Sequence, residues 1–336
     1  MSEIFFSVVM PTYNSESTIE MALKSIRMQK FPQENVEILV IDGGSQDKTL
    51  EIAKKYNATI LKNEKKLPEY AKRIGFEKAR GKWIIMQDSD EVLVHEEQLQ
   101  KRKELFDENP NVYCLFPDVY MPGDNCGIAC AYINWFGDPF SYIVYGLSHS
   151  RIESQRKYLY KRTERGNLYK YKIGDIFPIG DGGSTTINIE KAKEIFGEEY
   201  FTQEFTVSIF YKMVEKTSYV GCIPKDDIIH YSMSKFGAYL KKLHFRVHTN
   251  LNDTAQAGYT VRAAQNKTLE RRKILFILYV VSVFVPLLDA IRMCIKYRKI
   301  SLLLHFVYTY YLVGVMGIEV MKKIFNVKNT DVRYGK

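Results

Sequence analysis

The stretch VVMPTYNSESTI at residues 8–19 decides the fold. A short apolar run ends there in a polar turn, and an amphipathic helical pattern follows. The same kind of alternation continues through EILVIDGGSQDKT at 37–49 and AKRIGFEKARGKWIIMQDSDE at 71–91. Short apolar strands that alternate with amphipathic helices are typical of a parallel sheet with crossover helices, so the sequence predicts an α/β fold.

The same pattern places the first elements along the chain. The predicted strands are Phe5–Met10, Val36–Ile41, Thr59–Leu61 and Trp83–Met86. Three helices are predicted. The first starts at a capping box formed by Ser17 and Glu20, and the second starts at Ser45 and Asp47. The third runs from Glu69 to Arg80 and ends at Gly81. Residues 110–200 have weaker periodicity, and we expect them to form a mixed region built on the same sheet.

Composition limits the classes of protein that need to be considered. The 336 residues are 46% hydrophobic and carry a formal charge of +9, which suits a folded chain with an anionic partner. The five cysteines lack the paired short spacings of a zinc site, so reduced thiols in a cytosolic domain are expected. The first residues lack a basic region and a cleavage site, and Ile4 to Met10 is therefore interpreted as a buried strand instead of a signal peptide.

Polar loops follow three of the predicted strands: PTYN at 11–14, DGGS at 42–45 and QDSDE at 87–91. Open parallel sheets bind ligands beyond the carboxyl ends of their strands, so these loops are the first candidates for a site. Asp88 and Asp90 supply carboxylate oxygens, which suit Mg²⁺ or Mn²⁺ bound to a diphosphate. A lone D-x-D on a loop is also compatible with solvated charge, and Asp42 is compatible with either a ligand contact or an Asx-turn.

These three blocks together resemble the N-terminal half of family-2 glycosyltransferases, closely over residues 4–91 and more loosely to 231. The resemblance implies the GT-A fold, a nucleotide-sugar donor, inversion at the anomeric carbon and Mn²⁺ or Mg²⁺ as the metal. It also implies site residues. The nucleoside would contact Pro11, Thr12 and Asp42, and the metal would bind Asp88 and Asp90. The leaving diphosphate would lie beside Lys72 and Arg73. At position 72 the family commonly has arginine.

The resemblance extends to three downstream segments. The block YFTQEFTVSIFYKMVEK at 200–216 matches the family's acidic block and makes Glu204 the candidate general base. His230 falls where many relatives have a histidine, which implies a metal or diphosphate contact, although an isolated histidine is often structural. Asp181, Gly182 and Gly183 resemble the acceptor-side loop of the family.

The C-terminal part has a different character. Residues 232–250 predict a basic amphipathic helix, and two apolar stretches follow at Ile274–Leu288 and Leu302–Met321. Basic residues flank both stretches and fill their connection, so two full crossings would place that connection outside, against the positive-inside tendency. We expect a hairpin or in-plane pair inserted from the cytosolic side; a two-span hairpin and two buried helices of a soluble domain stay open.

Four regions are therefore predicted. They are a GT-A catalytic domain at 1–231, basic interface helices at 232–272, a membrane-embedded helical pair at 273–325 and a polar tail at 326–336. The expected activity is sugar transfer from a nucleotide-sugar donor to a lipid-linked saccharide or another membrane-borne acceptor, with the catalytic domain in the cytoplasm. The alternatives are a polyprenyl-phosphate glycosyltransferase and a non-catalytic sugar-nucleotide-binding protein. Nucleic acid is not an expected partner, since the basic residues concentrate beside the apolar tail.

Overall fold

The computed structural model describes residues 3–66, 68–172, 175, 183–197, 209–232, 235–252 and 267–326. The chain divides into two compact units. The first, called the sheet unit, comprises Met1–Met121, Ser150–Ile173 and Ile179–Tyr231. The second, called the helical unit, comprises Pro122–His149, Gly174–Pro178 and Ser232–Lys336.

Parallel strands form one half of the main sheet of the sheet unit. They are β1 (Phe6–Thr12), β2 (Val36–Asp42), β3 (Thr59–Lys62) and β4 (Trp83–Met86), in the spatial order β3-β2-β1-β4. All four predicted strands are confirmed, and β1 and β2 continue to Thr12 and Asp42. Both strands are buried along nearly their whole length, and this explains why their sequences are largely apolar.

Mostly antiparallel pairing extends the sheet beyond β4. The other strands of the sheet unit are β5 (Glu91–Leu93), β6 (Cys114–Leu115), β7 (Tyr120–Pro122), β8 (Leu159–Arg162), β9 (Asn167–Lys170), β10 (Thr185–Asn188), β11 (Tyr219–Cys222) and β12 (Ile228–His230). The main sheet continues β4-β10-β6-β11-β9-β8, and a small second sheet has the order β5-β12-β7. The predicted α/β fold, a mixed and mainly parallel sheet flanked by helices, is therefore confirmed.

Helices cover the main sheet. They are α1 (Ile19–Arg27), α2 (Thr49–Lys55), α3 (Pro68–Lys78), α4 (Gln98–Glu108), α6 (Arg151–Ser154), α7 (Ile189–Phe196) and α8 (Ile209–Thr217). α1 buries one face, which carries Ile19, Ala22, Leu23 and Ile26. The predicted capping box at Ser17 is wrong, because Thr18 is the N-cap residue and makes no side-chain capping bond.

The helical unit begins earlier in the sequence than expected. Residues 122–149 belong to it and form α5 (Cys130–Phe136) and a π-helical turn at Ser141–Tyr145. Every residue of α5 is buried, within a core shared with the C-terminal helices. The expectation that all of 110–200 is built on the first sheet therefore fails for this segment, whose all-round burial leaves no helical period to be read from the sequence.

The C-terminal helices are α9 (Phe236–Asn252), α10 (Lys267–Val281), α11 (Phe284–Tyr297) and α12 (Leu304–Ile324). Within the described residues, Ile300–Ile324 is long and apolar enough to cross a membrane, with a mean hydropathy of 1.5. Helices α10 and α11 pass the same test only as a pair, and that pair is bent by 93°. The first predicted apolar stretch is thus interrupted at Ser282 and Val283.

Candidate active site

The carboxyl ends of β1, β2 and β4 lie side by side at one edge of the main sheet. Thr12 is paired with Asp42 in the β1–β2 register. The Gln87 N–H donates to the Val9 carbonyl at 3.1 Å, which continues the β1–β4 pairing up to the residue before Asp88. The Ser89 and Ser15 hydroxyls are 2.9 Å apart, so the loops after β4 and β1 are in contact. The three predicted polar loops are thus neighbours.

Asp42 organises its own loop. Its carboxylate accepts hydrogen bonds from the Gly44 N–H at 2.8 Å and from both the N–H and the hydroxyl of Ser45. Gly44 has φ +94°, a conformation that suits glycine. Asp42 thus forms the Asx-turn, which was one of the two interpretations that the sequence allowed for this residue. It also explains why α2 begins only at Thr49, since Ser45 is engaged with Asp42.

One wall of the edge is formed by the end of β1. Within the described part of the chain, the Thr12 hydroxyl oxygen is buried and makes no hydrogen bond. Pro11, partly exposed, precedes it. A buried hydroxyl that lacks a protein partner is available to a polar ligand atom, which is compatible with the donor contact expected of Thr12.

Three carboxylates crowd the loop after β4. The Asp88 N–H donates to Glu91 Oε2 at 3.0 Å, and the Glu91 N–H donates to the Asp88 carbonyl at 3.1 Å. Burial, and after it the charges of Asp88 and Asp90, raise the pKa of the Glu91 carboxyl well above its usual range. The loop therefore concentrates negative charge that a cation would stabilise.

His230 joins this acidic loop through the second sheet. β12 pairs with β5 so that His230 lies opposite Glu91. His230 Nε2 is 3.3 Å from Asp90 Oδ2, and the Tyr231 N–H donates to the Asp90 carbonyl at 2.8 Å. The predicted metal residues Asp90 and His230 are thus brought together from positions far apart in the sequence.

A divalent cation fits this arrangement as an open site. No group of three or more His, Cys, Asp or Glu side chains in the described ranges is arranged to enclose a metal ion. Mg²⁺ and Mn²⁺ are commonly held by one or two carboxylates, with substrate phosphates and water as the other ligands. The crowded carboxylates and the adjacent imidazole have the required chemistry.

Positive charge reaches the acidic loop from α3. The charge of Lys72 acts on Glu91 and partly offsets the rise in its pKa. Arg73, half-buried, follows on the same helix. α3 packs so closely against β1 that a Cβ atom at Gly75 would overlap the Val9 side chain. The glycine thus permits the close packing that brings Lys72 to the edge of the sheet.

The predicted acceptor-side loop is described only at its end. Gly183 has φ +62°, and its carbonyl accepts a hydrogen bond from the Tyr120 hydroxyl. A Cβ atom at Gly183 would overlap that hydroxyl, so only glycine fits. Asp181, Gly182 and the candidate base Glu204 lie outside the described residues.

Three residues of this region were missed by the sequence interpretation. They are Glu91, Tyr120 and Arg151. Burial, and then the charge of Glu91, raise the pKa of Tyr120 well above its usual range. The Arg151 guanidinium lies over the Tyr120 ring, 4.8 Å from its centroid. Glu91 could have been found as the last residue of QDSDE, whereas no sequence signal marks Tyr120, which comes from a region of weaker periodicity.

Comparison with known sequences identifies a family. The profile described as Glycosyl transferase family 2 matches residues 7–170. The poly(ribitol-phosphate) beta-N-acetylglucosaminyltransferase TarS of Staphylococcus aureus is 33% identical over 126 residues, which are 36% of this chain and 21% of that protein. A dolichyl N-acetyl-alpha-D-glucosaminyl phosphate 3-beta-D-2,3-diacetamido-2,3-dideoxy-beta-D-glucuronosyltransferase of Methanococcus voltae is 38% identical over 89 residues, or 24% of this chain and 28% of that one. The matched segments thus span about a fifth to a quarter of these relatives.

A solved structure shares the fold. The mannosyltransferase PcManGT of Pyrobaculum calidifontis, in complex with GDP-Man and Mn²⁺, superposes with a TM-score of 0.54 at 14% sequence identity. The superposition covers 98% of this chain and 89% of that one. At this level of identity the similarity concerns the fold alone.

Proposed function

The chain belongs to glycosyl transferase family 2 through residues 7–170, and from this premise we propose that it transfers a sugar from a nucleotide-sugar donor to a membrane-borne glycan acceptor. The observation that carries the proposal is the approach of His230 to Asp90 within 3.3 Å, beside Asp88, at the carboxyl edge of the parallel strands. Nucleotide ligands of open α/β sheets bind at this edge.

The donor is proposed to bind across the ends of β1, β2 and β4. Pro11 and Thr12 form the wall for the nucleoside, and Asp42 holds the neighbouring loop in shape through its bonds to Gly44 and Ser45. Asp88, Asp90 and His230 are the proposed ligands of Mn²⁺ or Mg²⁺. When bound, such an ion neutralises the two phosphates of the leaving group.

The chain's own residues supply the other parts of the mechanism. Lys72 and Arg73 stabilise the negative charge that grows on the departing nucleoside diphosphate. Glu204 is proposed to accept the proton of the acceptor hydroxyl as the new glycosidic bond forms. A single in-line displacement of this kind inverts the anomeric carbon. Gly183, held by Tyr120, is the proposed acceptor-side boundary of the site.

The acceptor is proposed to be a saccharide attached to lipid, with the catalytic part on the cytoplasmic side. The support is the apolar C-terminal region, in which α10 and α11 expose large hydrophobic side chains. The relatives described above are named for transfer to poly(ribitol-phosphate) and to a dolichyl phosphate-linked sugar. An acceptor that is itself a polyprenyl phosphate is the alternative, and in that case Glu204 would serve for positioning only.

Donor turnover by an Asp90 variant tests the proposal. The purified chain with Mn²⁺ and a panel of UDP, GDP, dTDP and CDP sugars should hydrolyse one donor slowly in the absence of acceptor. Asp90→Ala should reduce this rate by at least about a hundredfold, because stabilisation of leaving-group charge is a large part of catalysis. The matched control is Asp107→Ala, at an exposed carboxylate of α4 that pairs with Lys103.

Two outcomes would contradict the proposal. Full turnover in Asp90→Ala would refute the role of the acidic loop. Donor binding without turnover by the wild-type chain would instead favour a non-catalytic sugar-nucleotide-binding protein.

A further inference from the structure

The corner between α10 and α11 presents apolar side chains to its surroundings. Val281 is 72% exposed and Phe284 is 74% exposed, on either side of the break. Further large hydrophobic residues of the two helices are at least 40% exposed: Ile274, Leu275, Ile277, Leu278, Val283, Val285, Leu287, Leu288, Ile291 and Ile295. Such a contiguous apolar surface is unusual for a soluble monomer and indicates a binding surface.

Polar bonds on the inner side hold the corner in its bent form. The Tyr279 hydroxyl lies 2.7 Å from His305 Nε2 and donates to Asp289 Oδ2 at 3.3 Å, so it connects α10, α11 and α12. The Tyr310 hydroxyl of α12 donates to the Val280 carbonyl at 2.9 Å. These polar contacts, together with the packing of Phe276 and Met293 in the core, hold the corner in a defined shape whose outer side is apolar.

Helix α12 is unsuited to crossing a bilayer because it is paired along its length with a basic helix. Tyr308 contacts Tyr239 of α9 with ring centroids 4.6 Å apart, and the Glu319 carboxylate lies 2.7 Å from His248 Nδ1. Because residue numbers increase together along the two helices in these contacts, α9 and α12 are parallel. A crossing would carry Glu319 and the charged side chains of α9 into hydrocarbon, which is costly.

The exposed face of α12 suits an in-plane position instead. Most of its exposed apolar residues recur at helical spacing: Leu303, just before the helix, then Val307, Ile318, Met321 and Ile324, with Val320 beside this stripe. The buried stripe of Tyr308, Leu312, Val315 and Glu319 lies on the opposite side, towards the core of the helical unit. A helix with one apolar face outside and one face packed on protein lies along an interface.

The positive charge of the C-terminal helices indicates which kind of partner binds the apolar corner. Residues 267–326 contain ten Lys and Arg against three Asp and Glu, a net charge of +7. Exposed basic residues alternate with the exposed apolar ones on α11 and after it: Arg292, Lys296, Arg298 and Lys299. A second copy docking through the same face would bring two positive surfaces together. An anionic lipid surface is complementary to both the apolar and the basic side chains.

The geometry points to docking on one leaflet of an anionic bilayer, with the Val281–Phe284 corner inserted at the boundary of head groups and acyl chains. α12 lies in the membrane plane and neither apolar region crosses. This inference specifies how the chain would reach the membrane-borne acceptor, and in this respect it rests on the proposed function. The lipid contact itself is measured without donor or acceptor.

Vesicle flotation of the full chain tests the lipid contact. The chain should float with vesicles of equal parts phosphatidylcholine and phosphatidylglycerol, and about tenfold less with phosphatidylcholine alone. Phe284→Asp should reduce flotation by at least about tenfold, since it puts a charge where an aromatic ring is buried in lipid. The matched control is Met28→Asp, at a half-exposed apolar residue of the sheet unit, which should float like the wild type.

Charge reversal tests the basic residues separately. The triple variant Arg292→Glu, Lys296→Glu, Lys299→Glu should bind both vesicle types equally weakly. Failure of the wild-type chain to float would overturn the inference. A wild-type dimer that Phe284→Asp converts to a monomer would also overturn it and would favour a protein partner.

A depth measurement distinguishes one leaflet from a crossing. The chain has two tryptophans, Trp83 and Trp135, and both are buried. Phe284→Trp adds an exposed one, and lipids brominated near the head group should quench its fluorescence more than lipids brominated near the chain end. Stronger quenching by the deep bromines would overturn the one-leaflet position.

The same preparations separate this inference from the proposed function. Donor hydrolysis in the absence of vesicles should be unchanged in Phe284→Asp. Normal hydrolysis with no flotation of the wild type would refute the lipid docking alone, and normal flotation with no hydrolysis would refute the catalytic proposal alone.

Discussion

Gly183 and Tyr120 are in close contact beside the acidic loop. The glycine has φ +62°, and a Cβ atom there would overlap the Tyr120 hydroxyl. Gly183→Ala should therefore lower kcat/KM at least about tenfold and destabilise the chain by about 1–3 kcal/mol, because strain and overlap add. Steady-state transfer rates and urea unfolding measure the two effects.

A double variant separates overlap from backbone strain. A Cβ atom at Gly183 would overlap both the hydroxyl and the ring of Tyr120, so in Gly183→Ala combined with Tyr120→Ala the whole overlap is absent and part of the lost stability should return. Equal destabilisation in Gly183→Ala and in the double variant, relative to Tyr120→Ala as the background of the second, would show that the Tyr120 side chain does not limit this position.

The site residues differ in how far the sequence predicted them. Asp42, Asp88 and Asp90 were found because each ends or follows a strand whose apolar run is visible locally. His230 was found only through the family resemblance. Tyr120 reaches Gly183 across 63 positions of sequence, and a contact of that range leaves no local pattern.

At the scale of elements, a buried ion pair fixes the start of β10. Arg102 of α4 is fully buried, and its Nε lies 2.9 Å from Asp226 Oδ2. Its Nη1 donates to the Ser184 carbonyl at 3.0 Å, next to Gly183. Arg102→Ala should cost about 3–5 kcal/mol of unfolding free energy, since it leaves a buried carboxylate without its counter-charge. Urea unfolding measures it.

The matched control for this ion pair is an exposed arginine of the sheet unit. Arg165 pairs with Glu104 and Glu108 at the surface, and Arg165→Ala should cost at most about 1 kcal/mol. Similar losses from the two substitutions would contradict the structural role assigned to Arg102.

His305 makes the stability of the helical unit depend on pH. Burial lowers the pKa of its imidazole from 6.5 to about 4. Between these values the unfolded chain binds more protons than the folded chain, so stability should fall as pH decreases from about 6.5 to 4, by at most about 3 kcal/mol. Unfolding midpoints measured across this range should fall in the wild type and flatten in His305→Gln. A wild-type midpoint that is constant over the range would contradict the buried neutral imidazole.

The elements themselves were predictable to different degrees. Strands β1, β2 and β4 were visible because each is a largely apolar run bounded by polar turns, whereas β3 is shorter and only partly buried. The start of α1 was misplaced, since Ser17 and Glu20 have capping-box spacing while the backbone uses Thr18 as the N-cap. The break at Ser282 and Val283 was missed because it lies inside one apolar stretch, where hydropathy alone shows no interruption.

At the scale of the whole molecule, the sequence order of segments does not follow the division into units. Residues 122–149 belong to the helical unit although the segments before and after them belong to the sheet unit. Tyr132 of α5 contacts His305 of α12 across 173 positions. Such a pairing depends on the tertiary fold, so the four predicted regions at 1–231, 232–272, 273–325 and 326–336 could not include it.

The central claim is that the acidic edge of the parallel sheet binds a nucleoside diphosphate through a divalent cation. Isothermal titration of the full chain with UDP and with GDP, in Mn²⁺ and then in EDTA, tests it most directly. We expect binding of one of the two in Mn²⁺, a loss of at least about tenfold in affinity in EDTA or in Asp90→Asn, and unchanged binding in Asp107→Asn. Equal affinity with and without Mn²⁺, unaffected by Asp90→Asn, would contradict the claim.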